Sequence, residues 1–115
     1  MERSIFNAFE QALGKQHVLT SATDCLAYGF DNSSYRQNPA MVLLPTCTQH
    51  VIDAVKLARQ FKLPLTARGR GTNTTGASIP VAQGAVISFE RINQILRLAP
   101  EDRLAVVQPG VINVD

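Results

Sequence analysis

Between Met41 and Ala67 the sequence MVLLPTCTQHVIDAVKLARQFKLPLTA passes from one unbroken apolar stretch, through a helical repeat, to a second short apolar stretch. That order constrains the fold more than any other feature of the chain. Met41 to Leu44 shows no polar alternation and stops at Pro45, the pattern of a strand buried on both faces. Thr46 has the chemistry of an N-cap, and Gln49 stands three residues on to complete a capping box. Val51, Ala54, Val55, Ala58 and Phe61 fall on one face, with Lys56, Arg59 and Gln60 off it, which predicts a helix of about four turns. Leu63 and Pro64 end it, and Leu65 to Ala67 is the next strand. Strand, helix and strand in so short a span predict a right-handed parallel crossover.

The flanks fit the same class. Ile5, Phe6, Phe9, Ala12 and Leu13 recur at helical spacing up to Gly14, so the chain opens with a short amphipathic helix, and a further helical turn is expected near Ala22 to Tyr28. Ala85 to Ser88 and Leu104 to Val107 read as strands, with a turn of helix around Glu90 to Ile95 and a tight connection at Pro100, Glu101 and Asp102. No repeat or Ser- or Pro-rich linker interrupts them. The expectation is one α+β unit: a small subdomain containing a βαβ crossover, with a short parallel sheet flanked by helices.

Composition removes several classes of function. A chain of 115 residues suffices for one small core that buries roughly two-thirds of its unfolded surface. Apolar residues make up 45% and no apolar run approaches the ~18 residues of a membrane span. The formal charge of +2, without interleaved aromatics, argues against nucleic acid. Met1 to Gln16 carries Glu2 and Glu10 and lacks the long apolar core of a secretory signal. Cys25 and Cys47 form no C-x-x-C and give no reason to expect a bridge, so a reducing compartment is expected, with Cys47 a small apolar filler. His17 and His50 stand apart in the sequence and are expected to be solvated; no metal site is predicted. Tyr28 and Tyr35 are expected in the core.

The chemistry concentrates in Arg68 to Pro80, RGRGTNTTGASIP, where the second predicted strand ends. Glycines there free the backbone to turn successive N–H groups around an anion, and Thr72, Thr74, Thr75 and Ser78 add hydroxyl donors without bulk. Between Asp53 and Glu90 there is no carboxylate, while Lys56, Arg59, Lys62, Arg68 and Arg70 all lie in that interval. The local field favours a negative partner, and open α/β sheets place ligands at the carboxyl ends of their strands. A phosphate-bearing ligand follows.

Neither common nucleotide motif is present: the third glycine is wrongly spaced for G-x-G-x-x-G, and no lysine follows Gly76 to make a P-loop. The segment instead resembles the pyrophosphate loop of FAD-linked oxidases of the vanillyl-alcohol oxidase type, the PCMH-type FAD-binding domain, whose pattern is R-G-x-G-T-x-x-x-G-G-A-x-P. Arg68, Gly69, Gly71, Thr72, Gly76 and Pro80 match it, while Ala77 and Ser78 stand where the family has Gly-Ala. Upstream, Tyr28 to Tyr35 (YGFDNSSY), Pro39 and Met41 to Pro45 are similar to the segment that leads into the family's first strand and helix; downstream, Val107 to Val111 (VQPGV) is similar to its second FAD-contacting turn. The likeness covers about Tyr28 to Asp115 and is greatest to the branch of the glycolate oxidase FAD-binding subunit and D-lactate dehydrogenase.

That resemblance implies FAD held by Pro45, Arg68, Gly69, Arg70, Gly71, Thr72, Asn73, Thr74, Thr75, Gly76, Ile79, Pro80, Pro109 and Gly110. It implies non-covalent attachment, because Thr72 stands where some relatives carry the linking histidine. It also implies a parent that oxidises a 2-hydroxy acid such as glycolate or D-lactate by hydride transfer to the flavin. The family's substrate and catalytic groups lie in a cap, so none is assigned, and residues 1–115 are expected to be the first subdomain of the FAD domain, inactive alone and prone to self-association. A cytoplasmic location is expected, with any membrane association running through partner subunits. Two alternatives stand beside this: the FAD module of a different alcohol or sugar oxidoreductase, and a non-enzymatic domain binding a phosphate compound or a protein.

Overall fold

The computed structural model describes residues 2–112; Met1 and 113–115 lie outside it, and with them the expected boundary at Asp115. Its centre is a mixed four-stranded sheet of β1 (Val18–Leu19), β2 (Met41–Leu43), β3 (Leu65–Arg68) and β4 (Ala85–Ser88), in the order β1-β2-β4-β3. β2 and β3 both run parallel to β4, and β1 pairs antiparallel with β2. The predicted crossover strands thus share one sheet, but β4 lies between them. A separate antiparallel hairpin joins β5 (Ile95–Ala99) to β6 (Leu104–Val107).

Among the described residues, three α-helices complete the α+β unit: α1 (Arg3–Leu13), α2 (Ala22–Cys25) and α3 (Thr48–Gln60). Side chains alternate across β2 and β4, which explains why neither strand shows a polar period. Met41, Leu43, Ala85 and Ile87 pack with Phe9 and Leu13 of α1 and Ala54 and Ala58 of α3. Val42, Leu44 and Val86 point the other way, against Cys25 at the end of α2, with Leu19 and Tyr28 beside them. Apolar matter therefore covers both faces of the two central strands.

Several expectations are corrected here. α3 starts at Thr48 with Cys47 as its N-cap and no side-chain cap, so there is no Thr46–Gln49 capping box. The Thr46 N–H and hydroxyl instead meet His50 Nδ1, and Gln49 Nε2 donates to Asp53 at 2.9 Å. Cys47 is exposed, not a core filler, and Val55 is 51% exposed because Leu57 takes its place beside the core. The helical turn expected over Glu90 to Ile95 is a turn at Glu90 and Arg91 followed by β5. Tyr35 is 64% exposed, not core, whereas Tyr28 is partly buried. His17 and His50 come together, their ring centroids 5.4 Å apart, and Arg91 Nη1 donates to His17 Nδ1 at 2.9 Å. Burial first, then the charges of Arg91 and His50, hold His17 below the ordinary histidine range. No group of three or more metal-ligating residues occurs among the described residues.

Register fixes where the functional edge lies. Leu43, Ile87 and Ala67 stand level across β2, β4 and β3, so Pro45, Phe89 and Gly69 leave the sheet along one edge, at the carboxyl ends of the parallel strands.

Candidate functional site

The Arg68–Pro80 loop leaves that edge and folds back over residues 30–33. Gly71 and Gly76 have φ of +69° and +81°, a region that L side chains enter only with strain. A Cβ at Gly71 would also collide with the Arg68 guanidinium, and one at Gly76 would lie 3.0 Å from Tyr35 Cδ2. The substituted position Ala77 is exposed, so its methyl group has space, and the neighbouring Ser78 is buried.

Polar contacts hold the loop in shape. Asp31, 6% exposed, accepts from the Ser33 main-chain N–H at 2.7 Å and from the Ser33 hydroxyl, while its other oxygen accepts from Asn73 Nδ2 at 2.8 Å. Those bonds, the Ser33 hydroxyl foremost, keep the Asp31 carboxyl below its ordinary range against the opposing effect of burial. The Ser78 hydroxyl donates to Asn73 Oδ1 at 2.8 Å, the Asn32 N–H to the Asn73 carbonyl at 3.0 Å, and Asn32 Nδ2 to the Thr72 carbonyl at 2.9 Å. Asn73 is thereby used at its main chain and at both ends of its amide. Sequence reading singled out Asn73 but missed Asp31 as its partner; the signal available was the Asp-Asn-Ser order of an Asx-turn.

The two predicted arginines have different duties. Arg68 Nη1 donates to the Phe30 carbonyl at 2.6 Å, and its guanidinium lies 5.5 Å from the Tyr28 ring centre. Arg70 grips the Gly110 carbonyl through Nε at 3.1 Å and Nη2 at 2.8 Å. Gly110 is buried, its N–H donates to the Ile92 carbonyl at 2.8 Å, and a Cβ there would strike the Phe89 carbonyl. Arg70 thus ties the loop to the Pro109–Gly110 turn, and the two sequence segments 40 residues apart form one site. Thr72, Thr74, Thr75 and Pro109 are exposed along it, Gly69 and Ile79 are partly covered, and Pro45 and Pro80 are buried beneath it.

What the arrangement offers a ligand is main-chain N–H. Among the described residues, no amide from Gly69 to Ala77 donates to a protein acceptor, although the carbonyls of Thr72 and Asn73 are bonded. A loop fixed through its carbonyls and side chains, with its amides unspent and Arg68 and Arg70 alongside, suits an anion held by main-chain donors. A diphosphate is such a group, and the residues present fit it.

The family described as FAD binding domain matches residues 39–115. The chain belongs to it. The flavin domain is 35% identical over 109 residues to an uncharacterised FAD-linked oxidoreductase of Mycobacterium tuberculosis, which covers 93% of this chain and 24% of that protein. It is 33% identical over 106 residues to glycolate oxidase subunit GlcD of Bacillus subtilis, covering 91% of this chain and 23% of the relative. Among solved structures, p-cresol methylhydroxylase with substrate bound matches at a TM-score of 0.81 and 27% identity, over 96% of this chain and 23% of that one. The chain therefore spans about a quarter of the length of these relatives. FAD is the cofactor of the family, and the sequence resemblance to the vanillyl-alcohol oxidase type holds.

Proposed function

We propose that the chain is the diphosphate-holding part of a flavoenzyme that oxidises a 2-hydroxy acid such as glycolate or D-lactate. The observation that carries this reading is the run of unspent amides from Gly69 to Ala77, shaped at Gly71 and Gly76 and clamped by Arg70 to the Pro109–Gly110 turn. The similarity to glycolate oxidase subunit GlcD and, at 34% identity, to a D-2-hydroxyglutarate dehydrogenase of Stutzerimonas stutzeri supports the substrate class. When bound, FAD supplies the hydride acceptor; the residues of this chain bind and orient it. Attachment is non-covalent, with Thr72 offering a hydroxyl where a linking histidine would stand. Arg70 acts here as a clamp, because both of its bonded nitrogens are committed to Gly110.

The test is direct. The complete natural protein is expected to purify yellow and to gain thermal stability on addition of FAD, whereas residues 1–115 alone bind FAD weakly. A colourless full protein whose melting temperature ignores FAD while responding to an unrelated anion would refute the assignment. We also propose that residues 1–115 alone self-associate through the apolar β5–β6 hairpin, read by light scattering across concentration; a monomer at every concentration contradicts it.

A further inference from the structure

We propose that Glu90, oriented by Tyr28, forms a hydroxyl-accepting subsite beside the phosphate loop that takes a vicinal diol of the dinucleotide. The inference rests on the FAD reading above and deepens it.

A cleft of about 190 Å³ opens between the carboxyl ends of β3 and β4, lined by Tyr28, Arg68, Gly69, Arg70, Ser88 and Glu90. Glu90 Oε1 accepts from the Tyr28 hydroxyl at 2.5 Å and from the Ser88 hydroxyl at 3.1 Å. Burial, helped by the bond to Glu90, pushes the Tyr28 phenol up to about 12, so it remains a donor throughout the neutral range. Ser88 is 1% exposed and held within β4. The carboxylate is therefore anchored by one oxygen, and among the described residues its second oxygen receives no donor. Neither neighbouring arginine bonds it among the described residues: Arg68 Nη1 donates to the Phe30 carbonyl, and Arg70 Nε and Nη2 donate to that of Gly110.

Acceptor chemistry then divides the ligand. Arg68 and Arg70 also wall this cleft, so its charge alone does not exclude an anion; what Glu90 adds is an acceptor-only group, which an O–H donor can satisfy and a phosphate oxygen cannot. On the other side of Arg70 lies a hollow of about 450 Å³ lined by Thr72, Pro109, Val111 and Ile112, with no acidic residue among its walls. The diphosphate belongs on that side and over the loop amides; the Glu90 cleft takes a neutral, hydroxyl-bearing portion. Two hydroxyls on adjacent carbons match a carboxylate with spare acceptor capacity. FAD carries such a pair on its adenosine ribose and again along its ribityl chain, and the chemistry at Glu90 is common to both.

The experiment uses the complete natural protein stripped of flavin and titrated calorimetrically with FAD, ADP, FMN and inorganic pyrophosphate. Glu90→Ala is expected to weaken FAD binding about tenfold, the effect of losing a hydrogen bond to a charged group, and to leave pyrophosphate binding equal or tighter. Weakening of ADP but not FMN places the ribose at Glu90; the reverse places the ribityl chain. Tyr28→Phe, which removes only the orienting hydroxyl, is expected to weaken FAD about threefold, and it carries the test should Glu90→Ala fail to fold. FAD binding that is unchanged or tighter in these variants, or weakened FAD binding with ADP and FMN both unaffected, overturns the subsite. Failure of the FAD reading itself is distinguishable, because the unsubstituted protein would then not bind FAD.

Discussion

The central strands β2 and β4 and the hairpin β5–β6 are built from the same kinds of residue and have opposite surroundings. Met41, Val42, Leu43, Ala85 and Val86 are completely buried, whereas Ile95, Leu96, Leu98, Leu104, Val106 and Val107 are each 40–65% exposed. Only Ala99 of the hairpin is buried. Two helices and a helical turn cover the first region, and the second extends from the sheet with both faces open. Apolar sequence alone therefore does not identify a core. A strand becomes core when its topology brings helices over it, and the site sits where the covered region meets the open one, through the Arg70–Gly110 clamp.

The sharpest way to break that comparison is to truncate one side chain in each region. Met41→Ala is expected to destabilise the chain by about 2–5 kcal/mol, since it empties a filled core, and Leu98→Ala by less than ~0.5 kcal/mol; urea unfolding measures both. Equal losses would show that the hairpin is packed after all. Next in size, Gly71→Ala forces a side chain into a left-handed turn beside a fixed guanidinium and is expected to cost about 1–2 kcal/mol, with weaker FAD binding in the complete protein. The corresponding change at Gly69, where φ is not positive and a Cβ would meet only the Pro109 carbonyl at 3.6 Å, is expected to be milder.

Sequence periodicity made the buried region legible because its elements obey one rule each. The run Met41 to Leu44 lacks alternation since both its faces are covered, and the helix beginning at Thr48 declares itself through Ala54 and Ala58. The miss at Val55 shows the width of that stripe: an apolar residue at its border is as readily exposed as buried. Of the hairpin, Leu104 to Val107 and the connection at Pro100 to Asp102 were legible, and β5 was not. Ile95, Leu96 and Leu98 carry no two-residue polarity, and β5 bulges between Ile95 and Arg97, so nothing local marked a strand after the helical turn expected over Glu90 to Ile95. β1 is only two residues long and is fixed by its pairing with Val42 and Leu43. Of the site, the glycine pattern marked the loop, but the bracing depends on contacts such as Asp31 to Asn73, 42 residues apart, for which no local period exists.

Acid should loosen the bracing of the loop. Asp31 has a folded-state value below the ordinary carboxylate range, so its contribution is present at neutral pH and disappears as pH falls below the ordinary value and through the folded one. His17 acts earlier: its folded value is also lowered, so from about pH 6.5 downward the unfolded chain takes up the proton first and stability declines. Unfolding midpoints at about pH 7.5 and 5.5 should differ in the natural chain and differ less in His17→Gln. The smallest change in stability is expected from the double substitution Leu96→Lys and Leu98→Lys, within ~0.5 kcal/mol. Its consequence is reduced self-association of residues 1–115, read by light scattering; an unchanged size distribution would remove the hairpin from that role.

Amide hydrogen exchange across Gly69 to Ala77, in the complete natural protein with and without saturating FAD, tests the account most directly. Donors spent on a diphosphate should become strongly protected when FAD binds, while the already bonded amides of β4 stay as they were. Rapid exchange of Gly69 to Ala77 in the flavin-saturated protein would contradict it.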